Sequence, residues 1–208
     1  GSFFYLRRKY QTHLHSITQH PAPDPAAHYS SAFHADRVCF DAVWRDVQAQ
    51  TTVWISPEDD IEFRQITLHN LGDQPLEIEL LSAFEVALSD PRADEAHPAF
   101  TNLFVSAQWL ASHQALLMAR KPRLTTEQGL QLAHFITESS SPISQVHLTT
   151  DRLRWLGRGR AASQPLGALV PAPAGVDGQA VTLDTGLDPV CALSVTLNIA
   201  PGAKAHIT

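Results

Sequence analysis

The chain has 208 residues, a formal charge of −6 and 14 prolines. That length accommodates one large β-sandwich, in which folding buries roughly 70% of the unfolded chain's surface without staples. The acidic balance argues against a general nucleic-acid binder, no apolar run reaches the ~18 residues needed to span a bilayer, and two cysteines are too few for a disulfide scaffold.

In chain order, Gly1-Ser2 reads as an expression scar on a single domain, 1–208, cut from a longer protein. Ser2–Arg8 is a short aromatic strand, and His20–Pro25 is a proline-rich surface loop. Ala35–Trp44 and Asp46–Ile55 form a hairpin. In its second arm Val47, Ala49, Thr51, Val53 and Ile55 share one face, with Trp54 on the other as either a second-sheet contact or an exposed platform. Glu58, Asp59 and Asp60 make an acidic turn, a solvated cap against edge pairing rather than a catalytic pair.

Thr52–Val105 organises the rest, as the centre of an antiparallel sheet. The alternation of Ile61 and Phe63 with that of Ile66 and Leu68 is out of phase, which predicts a β-bulge at Arg64–Gln65. The turn Asn70–Pro75 leads into Leu76–Leu88, whose even positions are apolar or small while Glu77 and Glu79 take the alternate face. Glu85 lies among apolar residues, so an arginine should pair it.

Asp90–Ala99 is a loop with one helical turn at Ala93–Ala96. Phe100–Trp109, Ala115–Lys121, Leu130–Thr137 and Gln145–Thr149 follow as strands at sandwich spacing. Asp151–Arg160 is basic and punctuated by glycine: Arg152, Arg154, Arg158 and Arg160 are either an anion or interdomain contact or a solvated hairpin. Gln164–Gln179, rich in Pro, Ala and Gly, reads as a long mobile loop. Cys191–Ile199 points its odd residues into the core, and Pro201-Gly202 turns into a last strand. Cys39 and Cys191 both sit in apolar alternations and are expected to be unbridged and mostly buried. The fold class is all-β, a two-sheet antiparallel sandwich with no helix beyond about two turns. No metal motif organises the eleven histidines, although His13 and His15 share a face. A nucleophile elbow, a phosphate loop and a cofactor fingerprint are likewise not found in the sequence.

Three strings carry a family resemblance: Ser56–Asp60 with Glu62–Asn70, Asp94–Phe100 with Asn102–Val105, and Asp151-Arg152 with Leu156–Arg160. Together they resemble the β-sandwich region of cyclic β-1,2-glucan synthases, in the cellobiose phosphorylase group of glycoside hydrolase family 94. The resemblance runs from Phe33 to the end of the chain, and the segment before Phe33 departs from the family pattern.

The resemblance implies a galactose mutarotase-like supersandwich placed ahead of a helical barrel that holds the catalytic acid. This domain is then non-catalytic and either borders the substrate cleft or serves purely for packing and homodimerisation. The parent is a large membrane protein with this region on the cytoplasmic face. Expected partners are a weakly held β-glucan and the barrel, with no cofactor. Arg92, Asp94, Glu95, His97 and Asn102, on a loop leaving a strand end, are the expected sugar contacts, with Trp54 as a further candidate.

Overall fold

The computed structural model describes residues 1–123, 125, 127–143, 145–175 and 178–208. Its strands are β1 (Ser2–Arg8), β2 (His15–Ser16), β3 (His28–Phe33), β4 (Arg37–Val43), β5 (Val47–Ile55), β6 (Glu62–Asn70) and β7 (Leu76–Glu85), followed by β8 (Val105–Leu110) and β9 (Ala115–Arg120). The remainder are β10 (Gln131–Phe135), β11 (Val146–Asp151), β12 (Val170–Pro171), β13 (Val181–Leu183), β14 (Pro189–Ile199) and β15 (Lys204–Ile207). Three α-helices of five or six residues intervene: α1 (Pro91–Ala96), α2 (Pro98–Asn102) and α3 (Arg152–Leu156).

One sheet has the order β12-β11-β14-β7-β1-β2, a second β15-β6-β5-β4-β3, and a third β10-β9-β8-β13. All strand pairs are antiparallel. The second and third sheets meet at a seam where Ser139 bridges Ile207 and the Thr137 and Thr208 amides donate to Thr208 and Glu138 carbonyls at 2.9 Å. They thereby form one long layer facing the six-stranded sheet. A single apolar cluster draws on all three, with Leu68 and Ala49 from one, Leu116 and Met118 from another, and Ile78, Leu197 and Ile199 from the third.

The all-β reading holds, and so do the predicted first strand, hairpin and last strand. On β14 the odd residues Cys191, Leu193, Val195, Leu197 and Ile199 are buried as expected. The second face is only half open: Ala192 and Ser194 are also buried, whereas Asn198 is exposed.

The reason is a second apolar cluster on the outer side of the six-stranded sheet. There Tyr5, Leu81, Ala83, Val190 and Ala192 are covered by Trp155 and Leu156 of α3. Burial of Trp155 also corrects the reading of 151–160 as a possible basic hairpin: it is a helix whose apolar side roofs the sheet. Asp151 caps α3 by accepting from the Leu153 and Arg154 amides at 2.9 and 3.3 Å, and Gly157 ends it at φ 85°.

Four further expectations are corrected. The turn at 70–75 does not close a hairpin, because β6 and β7 belong to opposite sheets. Asn70 fastens this crossing from within, donating to the Gln74 and Ile199 carbonyls at 2.8 and 3.0 Å and accepting from Gly72 at 2.9 Å. There is no bulge at Arg64–Gln65, since β5 and β6 pair in one unbroken register from Val47↔Asn70 to Ile55↔Glu62. The helical excursion runs on through Asn102, so the strand predicted from Phe100 begins at Val105.

The stretch 164–179 is not a free loop: β12 pairs with β11, and Leu169 packs on the second cluster. Residues 176 and 177 of that stretch lie outside the described residues. Strands β3 and β13 escaped the sequence reading, being short or weakly alternating.

Candidate functional site

A cavity of about 790 Å³ opens between the sheets where the facing layer has its seam. Its floor is Leu80, Leu193 and Val195 of the six-stranded sheet, and its roof is Ile66 with Leu132 and Ile136 beside β10. Arg64 projects into this space from a position whose parity is that of the core residues Ile66 and Leu68. Its guanidinium lies 5.2 Å from the Phe4 ring centroid and 5.1 Å from that of Phe84, while its Nε donates to Glu62. A ring-stacked arginine keeps its charge in an apolar wall because the π-faces and the carboxylate replace part of its hydration. Arg64 Nη1 and Ser82 Oγ, both in this wall, are buried with no hydrogen-bond partner among the described residues. Leaving such groups unpaired costs about 1–3 kcal/mol each.

His134 of β10 faces the same cavity, 5.1 Å from Phe84 centroid to centroid, with Nδ1 3.6 Å from Cys191 Sγ. Burial, reinforced by the positive charge of Arg64, pushes the imidazole down to about 3, so it is neutral at physiological pH. Burial likewise pushes the Cys191 thiol up and keeps it protonated, despite the opposing pull of Arg64. Contact between these two is therefore between uncharged groups, which does not make a nucleophile. Cys39 is a half-buried free thiol on β4, more accessible than the sequence suggested.

The expected sugar-contact loop is well fixed. Asp90 caps α1 through the Arg92 amide at 2.9 Å, and Thr101 Oγ1 donates to Asp94 at 3.0 Å. The buried Arg120 donates from Nη1 to the Thr101 carbonyl at 3.0 Å and sits 5.6 Å from the Phe104 ring. Arg92, Glu95 and His97 are exposed on this support, with Asp94 and Asn102 half-buried.

Trp54 is elsewhere. It stacks on Phe63 at 5.1 Å across the β5–β6 pair, on the side of the sheet away from the core. No hydrogen bond, ion pair or ring contact among the described residues joins it to the loop.

The four arginines of 151–160 do not act together. Arg152 pairs with Glu85 at 2.7 Å and Asp188 at 3.5 Å, which supplies the arginine expected for Glu85. Burial alone would raise the Glu85 carboxyl, but hydrogen bonds from the Gly1 amino group and Arg152 outweigh it and hold it below the usual carboxylate range. Arg154 lies 3.5 Å from Asp151, whereas Arg158 and Arg160 are exposed. The acidic turn Glu58–Asp60 is exposed too, with Asp60 at the cavity rim. His13 and His15 assemble no metal site: the described residues contain no group of three or more potential ligands.

All 208 residues match the family described as glycosyl hydrolase 94, supersandwich domain. The chain belongs to that family. It is also 26% identical, over its whole length, to the cyclic beta-(1,2)-glucan synthase NdvB of Rhizobium meliloti (strain 1021). The chain spans about 7% of that protein's length. The supersandwich architecture agrees with the two facing layers, and no helix among the described residues is long and apolar enough to cross a membrane.

Sequence reading missed the cavity. The one signal it held was the change of phase at Arg64, read there as a bulge.

Proposed function

We propose that this supersandwich is a non-catalytic, carbohydrate-contacting wall of a glucan synthase or related phosphorylase, with the α1–α2 loop as its contact surface. The observation that carries this reading is the construction of the loop. Its backbone is held from below by Asp90, Thr101 and Arg120, while Arg92, Glu95 and His97 are exposed on top. Binding groups on loops held by a rigid scaffold lose little entropy on contact. The name of the relative, a cyclic beta-(1,2)-glucan synthase, supplies the sugar class.

The chemistry of the acids supports a non-catalytic role. A general acid needs a raised carboxyl pKa, yet Glu85 is paired with Arg152, which opposes the rise that burial would cause. Asp24 is held low as well: burial would raise it, but hydrogen bonds from the Ala26 amide and the Trp44 indole outweigh that. In this reading the catalytic residues belong to a helical barrel elsewhere in a larger parent, with which this domain packs, on the cytoplasmic face of a membrane. Packing and homodimerisation alone, without sugar, form the second reading. Phe33 and Ile55 favour it, since they expose 80% and 61% of their surface at uncovered strand ends.

Titration of the chain with β-1,2-gluco-oligosaccharides, followed by backbone amide shifts, tests the proposal. The expected affinity is about millimolar, or about −4 kcal/mol, with shifts at Arg92–Asn102. Absence of shifts at tens of millimolar sugar would leave the packing reading in place. Release of glucose or glucose 1-phosphate by the domain alone would overturn the non-catalytic assignment.

A further inference from the structure

The inter-sheet cavity has a chemistry of its own, separate from the loop. Its volume of about 790 Å³ lies within the ~300–1,000 Å³ of small-molecule sites. The walls are mainly aliphatic and aromatic, and polar groups enter from several directions: Arg64, Ser82, His134 and Glu62.

The charges decide what could occupy it. Glu62 is paired with Arg64, and Glu85 with Arg152. Asp60 sits exposed at the rim, and His134 is neutral, so a lone anion meets more carboxylates than cations. A cation meets the stacked guanidinium of Arg64 inside. Neither ion is well served.

A neutral molecule with apolar faces and a rim of hydroxyls fits both demands. Its faces would lie on Phe84 and the aliphatic walls, and its hydroxyls would both donate to the carboxylates and accept from Arg64 and His134. The unpaired Ser82 Oγ and Arg64 Nη1 lie in the same wall, so a small rearrangement on binding would offer them partners. A pyranose has this build.

We propose that the cavity between β6, β7, β10 and β14 is a binding site for a short neutral gluco-oligosaccharide, entered past the acidic rim at Asp60. The proposal rests on the carbohydrate reading above and places a second contact apart from the α1–α2 loop. From β10, Leu132 and His134 point into the cavity, whereas Ala133 and Phe135 are exposed on the other face of that strand.

The test uses the intact chain, a β-1,2-linked glucose trimer and decanoate as an apolar anionic comparison. Amide shifts are followed at 131–135, 61–64 and 82–85, beside the loop 92–102. The expected result is sugar-dependent shifts at the cavity strands, with affinity there reduced at least tenfold by Leu132→Trp and unchanged by Ala133→Trp, on the outer face of the same strand. Ser82→Ala should also weaken binding. It provides the check if circular dichroism shows that the bulky variant does not fold. Shifts confined to 92–102 would overturn the cavity site and leave the loop reading intact. Shifts confined to the cavity would support this site and remove the loop. Silence at both places would overturn both, and cavity binding of decanoate without sugar would replace the proposed ligand class with an apolar acid.

Discussion

His134 offers the sharpest test of the cavity's electrostatics, because its environment makes protonation a folding cost. The imidazole lies between Phe84 and Cys191 with the Arg64 guanidinium in the same wall, and it is pushed down from 6.5 to about 3. The unfolded chain therefore takes up a proton at His134 below pH 6.5 while the folded chain does not. Protons bound preferentially by the unfolded state destabilise the fold as pH falls, by about 1.4 kcal/mol per unit through this window.

From pH 7 to pH 5 the expected loss from this one ring is about 2 kcal/mol, and it continues to grow until pH approaches 3. Replacing His134 with Gln removes the titration and keeps a neutral polar side chain. Urea unfolding of both proteins at pH 7 and pH 5 isolates the ring, since the other histidines and the carboxylates are common to both. The wild type should lose about 2 kcal/mol more than the variant over that interval. Equal pH dependence would refute the reasoning, showing that protons reach the folded ring at ordinary cost and that Arg64 does not oppose them.

On β14, Val195→Asp buries an unpaired charge at a residue only 3% exposed and should cost on the order of 4 kcal/mol or prevent folding. Thr196→Asp, half-buried beside the Arg7–Glu79 pair, should cost less than about 1 kcal/mol in the same denaturant assay. Under native conditions a thiol reagent should modify Cys39 well before Cys191, whose thiol is buried and held protonated, and equal rates would contradict the packing of β14. Arg120→Gln should leave the sheets folded and speed hydrogen exchange in 98–104, because the hydrogen bond to Thr101 and the stack on Phe104 are lost together.

Much of the fold was legible because period-two alternation is a local property of pleated chain. β5 and β14 show it cleanly, and the structure places them where the pattern does. What alternation does not contain is the identity of the partner strand. The turn at 70–75 has all the residues of a hairpin, yet Asn70 uses its side chain to bind Gln74 and Ile199 and passes β7 to the opposite sheet. Nor does it reveal a cover from far along the chain. Leu81 and Ala83 are buried by Trp155, a contact with no trace in the sequence around β7. The loop at 90–102 was legible as a loop, but its support by Arg120 depends on strand pairing that brings β9 beneath it.

The cavity was hidden for a more specific reason. Regular pairing of β5 with β6 obliges every even residue of β6 to face the core side, Arg64 included. A charged residue at such a position conflicts with burial unless space, rings and an acid are provided, and the structure provides all three: the cavity, Phe4 with Phe84, and Glu62. A bulge would have rotated Arg64 outward and restored the alternation, which is the cheaper solution for a purely structural strand. The strand instead keeps its register, points the guanidinium inward and leaves Nη1 and Ser82 Oγ unpaired in the wall. In this chain the broken alternation marks an arginine turned into an interior cavity, which lies at the seam between β10 and β15, where among the described residues an isolated bridge joins Ser139 to Ile207.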